Sequence, residues 1–172
     1  MKGKKVAIKM AKKLASQYIN ERGNQNRYRI SLEQIANDFG ISLVDHEFPG
    51  GMSGIFIRQG ERLYIGVNKD HTPERKRFTI AHEIGHYLLH SEDVIHHDNV
   101  DLESPNVVLY RSENVRGHSE VEANAFAAEL LMPEGLIQEC IDSGVNTIED
   151  LANIFNVSQD AMRYRLINLD YL

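Results

Sequence analysis

The stretch TIAHEIGHYLLH, residues 79–90, places two histidines four residues apart and a glutamate directly after the first. On a helix, side chains four residues apart lie on one face, so His82 and His86 can direct their rings at one point. Glu83 lies one step round the helix, close enough to reach a water at that point without being a ligand. With eight histidines in the chain, the pattern arises by chance only about 0.03 times. It therefore predicts a metal site that activates water.

The third metal ligand is expected from a different segment, because a catalytic zinc usually has three protein ligands and a water. The candidates are His90, His96, His97, His118, Glu120 and Glu122. Residues 119–133, SEVEANAFAAELLMP, are predicted to form a helix closed by Pro133. Its core-facing stripe comprises Ala123, Phe126, Ala127 and Leu130. Helical spacing places Glu120 at the border of this stripe, and Glu122 on an outward face with Glu129. A carboxylate at such a border needs a partner, which favours Glu120 as the ligand.

Residues beside the ligands could orient them or contact a substrate. Asn124, one helical turn after Glu120, can hold a ligand imidazole through its other ring nitrogen. A further donor should stabilise the oxyanion, and Tyr110 and His118 are nearest in sequence to Glu120, but the sequence does not choose between them. His90 suits the C-terminal end of the first helix, where a cation is favoured. The histidines predicted to lie on the surface are His46, His96 and His97.

Length and composition predict a cytoplasmic protein of one domain. A chain of 172 residues can bury a core without disulfides or a structural metal, so a bound metal would serve function. Cys140 is the only cysteine, which excludes an internal disulfide and indicates a reducing compartment. No apolar run approaches the roughly 18 residues of a membrane span, so no membrane partner is expected. We expect a basic N-terminal helix over 1–24, a core with the metal site over 25–133, and a C-terminal helical part over 134–172.

A cluster of lysines marks the N-terminus. Six lysines fall within residues 1–13, although the chain has a net charge of -6. The cluster could contact nucleic acid or an acidic partner, but it lacks the aromatic and arginine residues typical of nucleic-acid surfaces. The favoured interpretation is the solvated face of an amphipathic helix over 4–22. Its inward residues would be Val6, Met10, Leu14 and Tyr18, with Ile8 and Ala11 beside them.

The segments before the helix that carries His82 and His86 predict an α+β fold that is mostly helical, with a small antiparallel sheet or hairpin. Residues 31–40, SLEQIANDFG, are typical of a helix with Ser31 as N-cap and Gly40 in a left-handed position after its end. Residues 50–70 alternate apolar and polar side chains around the turn RQGER. This alternation around a glycine turn indicates a β-hairpin.

The helix that carries the histidines would begin at Thr72 or Pro73, since proline suits the first helical position. Gly85 inside this helix costs about 1 kcal/mol relative to alanine, and a close approach by another backbone would explain it. Residues 106–110 are typical of a loop or short strand. Two further short helices are predicted over about 134–142 and 147–169, the second broken near Asn156.

Two segments resemble each other, SLEQIANDFGIS at 31–42 and TIEDLANIFNVS at 147–158. Both look like the first helix and turn of a DNA-binding helix-turn-helix, and residues 158–169 could form a second helix. Residues 147–172, however, hold four acids and two arginines, which is a poor surface for a phosphate backbone. A reused helix-turn packing unit is the favoured interpretation.

Together, FTIAHEIGHYLLH and EVEANAFAAELLMP resemble the ImmA/IrrE family of zinc metallopeptidases, with the strongest similarity from about residue 50 to 133. The resemblance implies a zincin-like fold of the gluzincin type. It implies one zinc ion per chain bound by His82, His86 and Glu120, with Glu83 as general base. Helical geometry and the resemblance thus choose Glu120 independently.

The resemblance also implies a task, the limited proteolysis of a helix-turn-helix repressor of a phage, mobile element or stress regulon. Many members of the family carry their own N-terminal helix-turn-helix, whereas this chain begins with a lysine-rich helix, so direct binding to nucleic acid is not expected. Two alternatives stay open: a module that binds a regulator without cutting it, and a transcription factor that uses the two helix-turn segments. Glu83 argues against the first, because binding alone requires no base.

Overall fold

The computed structural model describes residues 2–21, 27–48, 52–90, 95–96 and 117–172. The helices are α1 (Lys2–Glu21), α2 (Leu32–Asp38), α3 (Pro73–Leu89), α4 (His118–Leu131), α5 (Glu134–Asp142), α6 (Ile148–Phe155) and α7 (Gln159–Asn168). The strands are β1 (Ile41–His46), β2 (Gly54–Gln59), β3 (Arg62–Asn68) and β4 (Ile95–His96), in the sheet order β1-β3-β2-β4. The fold is α+β and mostly helical, as predicted. The strand or loop expected over 106–110 lies outside the described residues.

The predicted β-hairpin is confirmed, since β2 and β3 pair antiparallel around a turn at Gly60. Gly60 has a φ of 59°, which tight hairpin turns require. The sheet is mixed, however, because β1 pairs parallel with β3 and the short β4 pairs parallel with β2. The expectation of an antiparallel sheet was therefore incomplete. Parallel neighbours are distant in the chain, so no local turn signal in the sequence marks them.

Helix α1 is present as predicted, and its buried face was predicted correctly in part. Tyr18 and Ala11 are buried as expected, but Val6 and Met10 are 53% and 36% exposed, and Ala7 and Ala15 are buried in their place. The reason is the close packing of α1 on α4, where a Cβ added at Gly3 would collide with the Glu122 carboxylate. Small side chains permit this approach, and larger ones would hold the helices apart.

Helices α2 and α3 begin where the sequence predicted. The Ser31 hydroxyl accepts a hydrogen bond from the Gln34 amide at 3.2 Å, and Thr72 caps α3 by accepting one from the Arg75 amide at 3.4 Å. Pro73 is the first residue of α3. These contacts satisfy amide groups that the first turn of a helix otherwise leaves unpaired.

Helices α3 and α4 pack against each other at Gly85. A Cβ added there would lie 3.0 Å from Cδ1 of Phe126, which is fully buried. The neighbour that excludes a side chain at Gly85 is thus an aromatic ring and not the expected backbone. The contact fixes the separation of the two helices that carry the candidate metal ligands.

Helix α7 is held to α4 by a buried ion pair. The Arg165 guanidinium donates to the Glu129 carboxylate and, through Nε at 3.1 Å, to the carbonyl of Met132. Glu129 is 2% exposed, so its predicted outward position is wrong. Spacing along α4 could not show this, because the partner of Glu129 comes from a helix more than thirty residues later.

The two similar segments share a helix and a left-handed turn, and then diverge. Gly40 follows α2 with a φ of 68°, and Asn156 follows α6 with a φ of 54°. The first turn leads into strand β1, whereas the second leads into helix α7. Within the described ranges, no helix combines the length and hydropathy that crossing a membrane requires.

The contact at Gly85 gives a stability prediction. Gly85→Val should destabilise the protein by about 1–3 kcal/mol, because the added side chain must displace the buried Phe126 ring. Gly135→Ala is the matched control, since a Cβ at this glycine in α5 meets nothing within 4 Å; it should stabilise by up to about 1 kcal/mol. Urea unfolding followed by circular dichroism would measure both. Equal stability of Gly85→Val and wild type would contradict the packing argument.

The ion pair between α4 and α7 gives a second stability prediction. Glu129→Ala should cost about 3–5 kcal/mol, because it leaves the Arg165 charge buried without its partner. Lys12→Ala removes the exposed pair between Lys12 and Glu134 and should change stability by less than about 1 kcal/mol. The same unfolding measurement compares the two variants. Similar small effects would mean that the Glu129 pair does not anchor α7.

Candidate metal centre

Three side chains from two helices meet at one point. His82 and His86 lie on α3 one turn apart, and Glu120 lies in the first turn of α4. The two Nε2 atoms are 3.0 Å apart, and each is 3.2 Å from a different oxygen of Glu120. The structure thus brings together three of the residues that the sequence analysis singled out.

The cluster has the composition and spacing of a metal site. Its ligand atoms all lie within 4.8 Å of one another. A tetrahedral zinc with ligand bonds of about 2.0–2.1 Å separates neighbouring ligand atoms by roughly 3.3 Å, close to the observed contacts. Two imidazoles and a carboxylate also suit a divalent transition metal. The histidine side chains are 11% and 9% exposed and that of Glu120 is 31% exposed, so the cluster is sheltered yet open on one side.

Asn124 holds the ring of His82 from the far side. Its Oδ1 is 3.0 Å from Nδ1 of His82. An amide oxygen can only accept, so Nδ1 carries the proton and the Nε2 lone pair is available within the cluster. Phe78 also stacks on this ring, with centroids 6.5 Å apart. Two contacts therefore restrict the orientation of His82.

Glu83 is buried and lines the same cleft as His82, Glu120 and Asn124. The cleft has a volume of about 1360 Å³. Pockets for small molecules usually have about 300–1000 Å³, so this cleft can take a longer chain. A buried carboxylate, a cluster of three metal-ligating side chains and a large cleft are combined in one place, as hydrolysis of a polymer would require.

The other candidate ligands lie elsewhere. His118 is exposed at the start of α4 and does not line the cleft. His90 ends α3, and its Nε2 is 3.4 Å from Glu122 Oε2. Glu122 also lies against Gly3 of α1, so its expected outward position is wrong, and it is not part of the cluster. Tyr110 and His97 lie outside the described residues, and His96 is described only by its backbone in β4.

The far wall of the cleft was not predicted from the sequence and comes from the C-terminal part of the chain. Val157, Ala161, Tyr164 and Asn168 line it. Val157 comes just before the N-cap of α7, Ser158. Ala161, Tyr164 and Asn168 lie on α7, and their spacing of three and four residues places them on one face of that helix. The sequence could not show which element that face would meet, because the cleft is formed by segments distant in the chain.

Cys140 takes no part in the site. It is buried in α5, and burial raises the pKa of its thiol. A thiol that stays protonated is a poor nucleophile. Cysteine chemistry at this residue is therefore not a rival explanation for the cleft.

Known proteins resemble this chain in both sequence and structure. The radiation response metalloprotease IrrE of Deinococcus radiodurans is 35% identical over 132 residues, which are 74% of this chain and 38% of that protein. The protein of the same name from Deinococcus deserti is 31% identical over 152 residues, 78% of this chain and 52% of that protein. The chain thus spans about half or less of the length of these relatives.

A Mycobacterium tuberculosis transcriptional regulator of known structure has the same fold. It aligns with a TM-score of 0.58 and 19% identity over 91% of this chain and 46% of that one. At this identity the likeness concerns the fold alone.

The model of one family covers most of the chain. The peptidase M78 family, described as the IrrE N-terminal-like domain, matches residues 36–167. The match runs from within α2 to near the end of α7 and includes the whole metal cluster and Glu83. The resemblance read from the two sequence motifs is confirmed. The chain belongs to the peptidase M78 family, the IrrE N-terminal-like domain.

Proposed function

We propose that this chain is a zinc-dependent endopeptidase. The observation that carries the proposal is the cluster of His82, His86 and Glu120, because His82 and Glu120 line a large cleft that Glu83 also lines. These three residues would hold one zinc ion per chain, and Glu83 would act as the general base. The name metalloprotease, which both curated relatives bear, supports the same activity.

The chemistry follows from the positions of these residues. When bound, zinc lowers the pKa of a coordinated water towards about 7 and polarises the scissile carbonyl. Glu83 follows His82 directly on α3 and accepts the proton of the attacking water, then returns it to the leaving amine. Asn124 keeps His82 in the required tautomer, and Phe78 restricts its ring. The buried position of Glu83 limits the access of other waters to its proton.

Strand β2 is the candidate to hold the substrate backbone. Strand β3 lies between β1 and β2 in the sheet, so both of its edges are used. In the described part of the chain, β4 pairs with β2 only at Ile57 and Arg58. The start of β2 at Gly54, together with the preceding Met52 and Ser53, lines the cleft. An extended peptide could therefore add to this edge as a further strand.

The substrate in this proposal is a protein, and more narrowly a helix-turn-helix repressor of a phage, mobile element or stress regulon, cut once in the cytoplasm. The support is the family resemblance and the size of the cleft. The proposal includes no membrane partner and no direct binding to nucleic acid through α7. Arg165 is buried against Glu129, which leaves Arg163 as the exposed arginine of α7, and one cation provides little attraction for a phosphate backbone.

Metal content tests the ligand assignment. Protein purified without added metal should hold about one zinc per chain by elemental analysis, because three protein ligands suffice for a catalytic site. Glu120→Ala should lose most of it. Glu122→Ala, on the same helix but engaged with His90, should keep it. Wild-type protein that neither contains nor takes up zinc would contradict the proposal.

Loss of the base tests the reaction. Glu83→Gln should retain zinc but cleave a test protein, such as casein, about 10²–10⁴-fold more slowly, since the amide cannot accept the water proton. Glu74→Gln is the control, because Glu74 also lines the cleft but lies in the first turn of α3; its rate should match wild type. Equal rates for Glu83→Gln and wild type would exclude Glu83 as the base. If zinc-loaded wild type cleaves neither casein nor any candidate repressor that it binds, the non-cleaving binding module becomes the better explanation.

A further inference from the structure

One ridge of helix α4 forms the floor of the cleft. Glu120, Asn124, Ala128 and Met132 follow each other at intervals of four residues, and all four line the cleft. The ridge thus begins at the metal cluster and runs towards the C-terminal helices. With a rise of 1.5 Å per residue, Ala128 lies about 12 Å from Glu120 along the helix. This distance corresponds to roughly three or four residues of an extended peptide.

The two ends of the cleft differ in polarity. The end near the start of α3 is lined by Ser53, Thr72, Glu74 and Arg75 as well as by Met52 and Phe78, with Arg75 Nη2 donating to Ser53 Oγ at 2.8 Å. The end near α7 is lined by Ala128, Met132, Val157, Ala161 and Tyr164, together with the polar residues Ser158, Arg165 and Asn168. Apolar and aromatic side chains thus form most of the lining at this second end, and Arg165 is its charged residue.

The one charged side chain at the apolar end is already neutralised. Arg165 lines the cleft there, but its guanidinium donates to the Glu129 carboxylate and the Met132 carbonyl. Because both groups bind the cation within the protein, it presents no uncompensated charge to an incoming side chain. An apolar side chain can occupy this end without burying an unpaired charge.

Tyr164 stands at the rim of this apolar end and is 67% exposed. Its neighbours Met162, Arg165 and Leu166 are buried, so the helix that presents the ring is fixed in the core. A large aromatic side chain on a rigid helix beside an apolar wall offers contact area at little entropic cost.

We propose that Val157, Ala161 and Tyr164 form a specificity subsite, which receives a bulky apolar side chain of the polypeptide within about four residues of the scissile bond. The inference rests on the proposed function, because the occupant is the substrate of that same site. It adds a selection rule that the metal ligands cannot provide, since they act on the peptide group that all substrates share. Tyr164 acts here by contact with the substrate side chain and takes no part in the hydrolysis.

Peptide display on the zinc-loaded Glu83→Gln protein tests the subsite without requiring cleavage. A random peptide library should yield binders enriched in Leu, Ile, Met or Phe at one position. An enriched peptide should bind about tenfold or more weakly when Tyr164→Ala is added, because aromatic anchors carry a large share of binding energy. Ala161→Phe, which fills the same space, should weaken it as well. Tyr164→Phe keeps the ring, and Arg163→Ala changes an exposed neighbour; both should bind normally.

The outcomes separate this inference from the proposed function. Binders without an apolar preference, no binders at all, or a preference unaffected by both Tyr164→Ala and Ala161→Phe would overturn the subsite. Cleavage of the enriched peptides by wild type would support both proposals. An apolar preference that depends on Tyr164, together with peptides that wild type leaves uncut, would retain the subsite and reject the endopeptidase.

Discussion

The contact between Gly85 of α3 and Phe126 of α4 sets the separation on which the whole site depends. His82 and His86 flank Gly85 in the chain, and Glu120 lies less than two turns before Phe126. The carboxylate can approach both imidazoles to 3.2 Å only if the two helix axes stay close. A glycine inside a helix is unfavourable by about 1 kcal/mol relative to alanine. At Gly85 the missing side chain lets α4 approach α3 closely enough for the ligand cluster to form.

Helix α4 connects the site to the rest of the fold through three glutamates with different partners. Glu120 meets the two histidines, Glu122 meets His90 and the start of α1, and Glu129 meets Arg165 of α7. Each carboxylate is partly or fully buried, so each needs a polar partner from another element. These partners come from α3 and the residue that follows it, from α1 and from α7. These contacts fix the position and the rotation of α4. Its one metal-ligand candidate, Glu120, therefore stays directed at the two histidines.

Features set by local chemistry could be predicted from the sequence, and features set by distant partners could not. Local contacts mark the helix caps at Ser31 and Thr72, and a local backbone conformation marks the turn at Gly60. The helical spacing of the two histidines likewise placed them on one face. The buried face of α1 was predicted only in part, because Ala7 and Ala15 are buried there through the proximity of α4. Glu129 was misassigned for a related reason, since Arg165 reaches it from α7. The parallel pairing of β1 and the apolar wall around Tyr164 likewise depend on segments that meet only in the folded chain.

The two related helix-turn segments have the same local pattern but lead into different structures. Each ends its helix in a left-handed turn, at Gly40 or Asn156. After Gly40 the chain enters the sheet, where β1 pairs parallel with β3. After Asn156, Ser158 caps a new helix by accepting a hydrogen bond from the Ala161 amide, and that helix becomes a wall of the cleft. The side of α7 that faces the cleft presents Ala161 and Tyr164, and its Arg165 is paired with Glu129, which suits contact with a polypeptide more than with a phosphate backbone.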